Sequence, residues 1–260
     1  MALMKNVVVV KLGGSVITYK HKSARGVNTH NLERVIAEMA ETRKNLVVIH
    51  GGGSFGHSVA LKNKVQFGKP ISNNKGASET MLSMLELNKV VLEEMLKNGF
   101  APISFPPHSF VLDKRIKKPF WQIFERAISE GFTPVTYGDV VLDQKTGFTI
   151  ISGDQLASQL AIQLKAETLI FATAVDGVYK DYKSKNLIEV VDQYTNFKSI
   201  TKDATGGIKN KVEQALLAAK AGVNTLILNA TKPGLLKKAI LNEEVKCSKI
   251  VWRNHGIQTS

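Results

Sequence analysis

The sequence predicts an α/β fold, a mostly parallel central sheet with helices covering both of its faces. Three observations carry this. Apolar runs of strand length alternate with helical stretches along the whole chain. The runs "VVVV" at 7–10, "LVVI" at 46–49 and "TLIF" at 168–171 are apolar at consecutive positions, so both faces of those strands are buried. Glycines close several of the helical stretches.

Taken in order, "NVVVVKLGG" reads as a buried strand stopped by a glycine pair. In "NTHNLERVIAEMAETRK", Leu32, Val35, Ile36 and Met39 fall at helical spacing, with Asn28 and Thr29 as cap candidates. "LVVIH" is a second buried strand, and it runs into the glycines and helix of "GGGSFGHSVALKNK". "SETMLSMLELNKVVLEEMLKNG" is a long amphipathic helix closed by Gly99; "APISF" is a strand, and "PFWQIFERAISEG" a helix closed by Gly131. "TPVTYGDVVLDQKTGFTIISGD" reads as a strand and then a hairpin turning at "DQKTG", a local antiparallel addition. Helix "QLASQLAIQLKA", strand "TLIFAT", polar loop "AVDGVYKD" and the glycine-led helix "GGIKNKVEQALLAAKAG" follow. Strand "NTLILNA", short helix "KPGLLKKAIL" and strand "SKIVW" come last.

Hydrophobic residues at 43% and charged residues at 22% over 260 positions are globular composition. No apolar run reaches the length of a membrane span, and the first residues lack the long apolar region and cleavage site of a secretory signal. Cys247 is the only cysteine, which excludes an intrachain disulfide and a cysteine-built metal centre and agrees with a reducing cytoplasm. The formal charge of +13 raises the question of nucleic acid. The lysines, however, are dense only in "KHK" at 20–22 and "KRIKK" at 114–118, and no RNP, zinc-finger or basic-region pattern accompanies them. The expectation is no nucleic-acid and no membrane partner. A field that attracts phosphorylated small molecules, or a solvated lysine-rich surface, accounts for the charge.

Ligands of open α/β sheets bind beyond the carboxyl ends of the strands, and four motifs fall there. In "KLGGS", Gly13 and Gly14 permit a tight turn with bare N–H groups and Lys11 adds a cation, though a plain strand-ending turn reads the same. In "GGGSFGH", Gly51, Gly52, Gly53 and Gly56 lead into a helix, which offers N–H groups and a dipole to an anion. The spacing is neither that of a P-loop nor GxGxxG with a downstream acid. Each glycine costs about 0.5–1 kcal/mol relative to alanine in regular structure, so four of them are hard to explain by packing. His57 falls in the first turn; taken alone, it reads as an ordinary surface or core histidine. In "ISGDQ", Gly153 allows close backbone approach, and Asp154 is either a carboxylate set between lysines or an N-cap. In "DATGGIKNK", Thr205, Gly206 and Gly207 open a helix that carries Lys211 one turn in. Glycine-rich anion sites with lysines in both halves suggest phosphoryl transfer, which needs donors and cations placed on the moving group.

"KLGGS", "HGGGSFGH", "ISGD", "AVDGVY" and "DATGGI..K", in this order, resemble the amino-acid kinase superfamily and, within it, the isopentenyl phosphate kinases, over essentially the whole chain. The resemblance implies a three-layer α/β/α sandwich with a mostly parallel central sheet. It implies an N-terminal lobe, residues 1–165, that binds the phosphoryl acceptor and dimerises, and a C-terminal lobe, residues 166–260, that binds ATP. Lys11 matches a lysine at the transferring phosphoryl group. Leu12, Gly13, Gly14 and Ser15 match the loop along the nucleotide phosphates, and Lys20 a lysine near them. Gly52, His57 and Gly153 match acceptor contacts, with His57 on the acceptor's phosphate, and Gly53 a contact to the transferred phosphate. Asp154 matches the carboxylate that orients the lysines. Ala174, Gly206 and Lys211 match positions at ATP. Mg2+ would accompany the nucleotide, with no metal site built by the protein itself. One departure stands out: the family commonly reads T-D-V-D-G after the "TLIFAT" strand, and here Ala174 replaces the first acid while Asp176 remains. A milder one is Ala204, in place of the usual valine of "DVTGG".

The reaction so implied is in-line attack of an isopentenyl phosphate oxygen on the γ-phosphorus of ATP. A phosphate monoester, with a second pKa of about 6, needs no general base for this near neutral pH. Fosfomycin kinases share the histidine after GGGSFG, so the same chemistry on another small acceptor stays open. A non-catalytic nucleotide sensor stays open because of Ala174. An apolar pocket for the five-carbon tail is expected along Met81, Met84, Leu85 and "ISFPPHSF". A cytoplasmic homodimer is expected.

Overall fold

The computed structural model describes residues 6–19, 26–69, 71–181, 185–196 and 207–254. Lys20, Asp203, Ala204, Thr205 and Gly206, singled out above, lie outside the described residues. The chain runs β1 (Val7–Leu12), α1 (Gly14–Ile17), α2 (Thr29–Glu41), β2 (Asn45–His50), α3 (Gly53–Lys62) and α4 (Asn74–Lys97). Then come β3 (Pro102–Ser104), β4 (Val111–Leu112), β5 (Arg115–Ile116), α5 (Trp121–Ser129), β6 (Thr133–Tyr137), β7 (Asp139–Asp143) and β8 (Gly147–Ile151). After α6 (Gly153–Gln163) follow β9 (Thr168–Thr173), β10 (Val178–Tyr179), β11 (Leu187–Ile188) and β12 (Val190–Val191). The last elements are α7 (Gly207–Lys220), β13 (Asn224–Asn229), α8 (Leu235–Ile240) and β14 (Cys247–Ile250).

Eight strands form the central sheet in the order β12-β14-β13-β9-β1-β2-β6-β3. Its pairings are parallel except for β13–β14, which is antiparallel. The β7–β8 hairpin is antiparallel as expected, but it joins a separate sheet, β5-β4-β7-β8, rather than the central one. Leu12 stands opposite both His50 and Ala172, and His50 opposite Tyr137, so the carboxyl ends of β1, β2, β6 and β9 share one edge. The loops after these strands therefore meet.

The central strands are buried on both sides because each side carries its own core. Val7, Val9, Val47, Ile49 and Phe171 pack with Phe124 of α5, Leu156 and Leu160 of α6, and Val212 and Ala215 of α7. Val8, Val10, Leu12, Val48 and Ile170 pack with Leu32, Ile36 and Met39 of α2, Leu87 and Val91 of α4, and Leu236 of α8. Strand alternation sends Lys11 to the first side, with Val7 and Val9, toward α6 and α7. Asn28 caps α2 by accepting from the Asn31 N–H at 3.2 Å, which leaves Thr29 as the first helical residue. Among the described residues, no helix is long and apolar enough to cross a membrane.

The start of α8 has no side-chain cap of its own. Glu38 of α2 supplies one from across the fold: its carboxylate accepts the N–H groups of Gly234 (2.9 Å) and Lys237 (3.3 Å) and pairs with Arg34. Replacing Glu38 with alanine orphans these donors and is expected to lower stability by about 1–3 kcal/mol. Denaturant unfolding measures this, and an unchanged midpoint would show that the bridge holds nothing.

Candidate active site

Lys11, the fifth residue of β1, is 7% exposed. Its Nζ lies 2.7 Å from Asp154 Oδ1. Lys211, on the second turn of α7 and 8% exposed, places its Nζ 2.9 Å from each Asp154 oxygen. One carboxylate thus holds two ammonium groups from two different elements. The backbone makes this possible. Ser152, not Asp154, is the N-cap of α6; it accepts from the Gln155 N–H while the Gln155 side chain returns to the Ser152 N–H, both at 3.1 Å. Asp154 is therefore relieved of capping and projects to the lysines.

The electrostatics follow from burial. Burial alone would raise the Asp154 carboxyl; the charges of Lys11 and Lys211, and the hydrogen bonds both donate, outweigh it and hold the group well below the usual carboxylate range. Lys211 is pushed down to about 8, first by burial, then by repulsion from Lys11, against the pull of Asp154. Two ammonium groups sharing one carboxylate repel by roughly 3 kcal/mol at an effective dielectric of about 20. The Phe171 ring, 5.1 Å from Lys211 Nζ, gives that cation a second attractive surface. The cluster keeps one surplus positive charge, which complements an anion.

The glycine loops come together at the same edge. A side chain at Gly14 would run into the Gly53 backbone, and one at Gly51 would lie 2.8 Å from the Gly14 nitrogen and 3.5 Å from Lys11 Nζ. The two loops touch backbone to backbone beside the lysine, a spacing that only glycine permits. Gly153 approaches in the same way, with its Cβ position 3.2 Å from the His50 carbonyl and 3.3 Å from Lys11 Cε. Thr18, which sequence reasoning passed over, fastens the loops: its Oγ1 donates to the Gly14 carbonyl at 2.8 Å and accepts the Ser54 N–H at 3.1 Å. Gly14, Ser15 and Gly53 open helices, so their N–H groups have no intrahelical acceptor. Among the described residues no other acceptor engages them.

The two histidines of "HGGGSFGH" differ. His50 is fully buried, stacks on Tyr137 at 5.0 Å and donates from Nε2 to Asn88 Oδ1 at 3.2 Å; burial drives its pKa down to about 4. It is a neutral structural group at the end of β2. His57 is exposed on α3, one turn after Gly53 on the same helix face. Gly52 and Gly56 seat α3 on Met84 of α4, whose Sδ lies 3.0 and 2.8 Å from the two Cβ positions. Met84 is thus core beneath the glycine turn, and the expectation that it lines a tail pocket together with Leu85 is corrected. Met84 is 1% and Leu85 41% exposed, because adjacent residues face different sides of a helix.

On the other side of β1, Ala174 follows β9 at the same edge. Asp176, two residues on, accepts from Asn229 Nδ2 at 3.0 Å and pairs with Lys232 at 2.7 Å and Lys246 at 3.6 Å. The hydrogen bond from Lys232 and then that from Asn229 keep its carboxyl below the usual range. Of the sequence candidates, Lys11, Leu12, Gly13, Gly14, Ser15, Gly51, Gly52, Gly53, Gly153, Asp154 and Lys211 gather at this edge, with His57 one turn above Gly53.

The family model described as the amino acid kinase family matches residues 6–229. The chain is 34% identical over 267 residues to an isopentenyl phosphate kinase of Methanothermobacter thermautotrophicus, covering 95% of this chain and all of that one. A crystal structure of isopentenyl phosphate kinase superposes with a TM-score of 0.83 at 32% identity, covering 95% of this chain and 100% of the other. The product complex of the T. acidophilum isopentenyl phosphate kinase superposes with a TM-score of 0.79 at 28% identity, covering 94% and 100%. The chain belongs to the amino acid kinase family, and its similarity there runs along its length to the isopentenyl phosphate kinases.

Proposed function

We propose that this protein transfers the γ-phosphoryl group of ATP to isopentenyl phosphate, releasing isopentenyl diphosphate and ADP. The observation that carries the reading is the pair of ammonium groups held on Asp154 beside two touching glycine loops. Phosphoryl transfer spreads negative charge over the equatorial oxygens of the moving group. Lys11 and Lys211 supply fixed positive charge there, and the N–H groups of Gly14 and Gly53 supply donors that need no reorganisation. Asp154, bonded to both lysines, positions them and takes no proton. The acceptor's phosphate is itself the nucleophile, so no general base enters. We assign acceptor binding to residues 1–165, with His57 and Gly52 on its phosphate and Gly153 beside it. We assign ATP to residues 166–260 and the Lys11–Ser15 loop.

Mg2+ would travel with ATP, neutralising its phosphates. Among the described residues, no group of three or more His, Cys, Asp or Glu side chains is placed to hold a cation, and Asp154 is occupied by the lysines. No step is routed through a metal held by the protein.

A coupled ADP-release assay tests the reading. Turnover is expected with isopentenyl phosphate and not with fosfomycin or acidic amino acids; ATP binding without turnover on any of them would point to a sensor. In the same assay, His57→Ala is expected to lose roughly 10²-fold in kcat/KM for isopentenyl phosphate. Near-normal turnover by that variant would refute the assignment of His57.

The charge state of Lys211 gives a second test. Its ammonium form is the active one, so kcat/KM for ATP should fall as pH rises through about 8. Because the Asp154 charge raises the Lys211 pKa, Asp154→Asn should move that limb to lower pH as well as reduce the rate. A limb left in place would contradict the shared-carboxylate arrangement.

We also propose a homodimer formed through the N-terminal lobe helices, where Leu61 of α3 and Leu82, Leu85 and Leu96 of α4 are exposed. Sedimentation equilibrium should return twice the 28.5 kDa chain mass; a monomer at micromolar concentration would rule this out.

A further inference from the structure

The "KRIKK" run has no part in the site above, and its place in the fold gives it another use. It lies on the β4–β5 hairpin, whose turn meets two other turns at one end of the four-stranded sheet. The Asp113 N–H donates to the Leu142 carbonyl at 3.0 Å, and Asp113 Oδ1 accepts the Gln144 N–H at 2.8 Å, which ties this turn to the β7–β8 turn. The Lys69 N–H donates to the Thr146 carbonyl at 2.8 Å, and the Lys69 side chain lies across Gly147, which ties in the segment after α3. Lys69, Lys114, Arg115 and Lys145 therefore rim one end of the molecule, and the Lys117 side chain reaches the same turn at Asp113. The acids in the two hairpin turns are Asp113 and Asp143. Both are engaged locally: Asp113 with Lys117 and the Gln144 N–H, Asp143 with the Lys145 and Thr146 N–H groups and the Thr146 hydroxyl.

Three large apolar side chains stand exposed among these cations: Phe67 at 53%, Ile71 at 58% and Leu142 at 59%. We propose that this end of the protein is a docking surface for an anionic lipid bilayer, bound peripherally. Basic side chains near an anionic surface each contribute about a fivefold gain in partitioning. Phe67, Ile71 and Leu142 can enter the headgroup boundary while the lysine stems lie along it. An identical face of a second copy is repelled by the same charges, and no element here reads bases, so the bilayer is the occupant that both the charge and the apolar tips fit. The hairpin runs five residues out from Gly138 and Gly153, about 16 Å, so docking leaves the reaction centre open. Peripheral docking needs no spanning helix, and among the described residues none is long and apolar enough to span; the proposal departs from the expectation of no membrane partner.

Vesicle co-flotation tests the proposal with the full chain. At low salt, binding is expected to phosphatidylcholine vesicles containing phosphatidylserine and not to phosphatidylcholine alone, and it should weaken as salt rises. The variant K114Q/K117Q/K145Q should partition about a hundredfold more weakly, and L142S should weaken binding with no change in charge. Both should keep wild-type ADP release with soluble substrates, which establishes that they fold. Absent wild-type binding, or equal binding by the variants, overturns the proposal. Retention on single-stranded RNA without vesicle binding, or self-association lost in K114Q/K117Q/K145Q, overturns it in favour of that partner.

Discussion

Two buried ammonium groups and one buried carboxylate form the constraint on which the rest of this structure depends. Removing ions from water is costly unless they are paired and hydrogen-bonded. Asp154 makes that pairing with both Lys11 and Lys211, and it does so at distances of 2.7 to 2.9 Å. The consequence is geometric. β1, α6 and α7 have to place three side chains at one point, so the two halves of the chain are held in register by the charges that the chemistry needs. The arrangement is also incomplete as a neutral object. Its surplus positive charge makes it a receptor for a polyanion before any ligand-specific contact is counted.

Close backbone packing is the second part of the same design. The Gly13–Gly14 and Gly51–Gly53 loops approach more closely than any residue with a Cβ would allow, and Thr18 bolts them together. Their N–H groups are consequently fixed in place, which is the condition under which backbone donors stabilise developing charge most effectively. Glycine entropy is the cost of this proximity. His50, neutral and stacked on Tyr137, closes the buried side of the turn, and His57 stands on the open side.

Much of this was legible in the letters, for physical reasons. Strands buried on both faces must be apolar at consecutive positions, so β1, β2, β9 and β13 were plain. Helix periodicity and closing glycines exposed α2, α4, α5 and α7. The glycine clusters pointed to the carboxyl edge because packing gives no reason to place them there. Other features had no local signature. The direction of β14 was not readable, since "SKIVW" pairs equally well either way and only tertiary context runs it antiparallel to β13. The β4–β5 turn places Asp113 and Lys114 at φ of 54° and 57°, left-handed positions without the glycine that would mark them. Helical spacing in α4 could not say which side each residue faces, so Met84 was misplaced. From the sequence alone Asp154 reads equally as a cap or an ion-pair partner; only the Ser152–Gln155 capping box frees it for the lysines. The proposed place of His57 on the acceptor comes from family resemblance rather than from spacing.

The central claim is that Lys11 and Lys211, oriented by Asp154, act on one phosphoryl position. A crystal structure with ADP, aluminium fluoride and isopentenyl phosphate examines this most directly. The account expects both Nζ atoms within about 2.7–3.2 Å of the fluoride group or its bridging oxygens, with the acceptor phosphate in line beside the first turn of α3. A fluoride group contacted by only one lysine, or bound away from the Gly14–Gly53 contact, would contradict it.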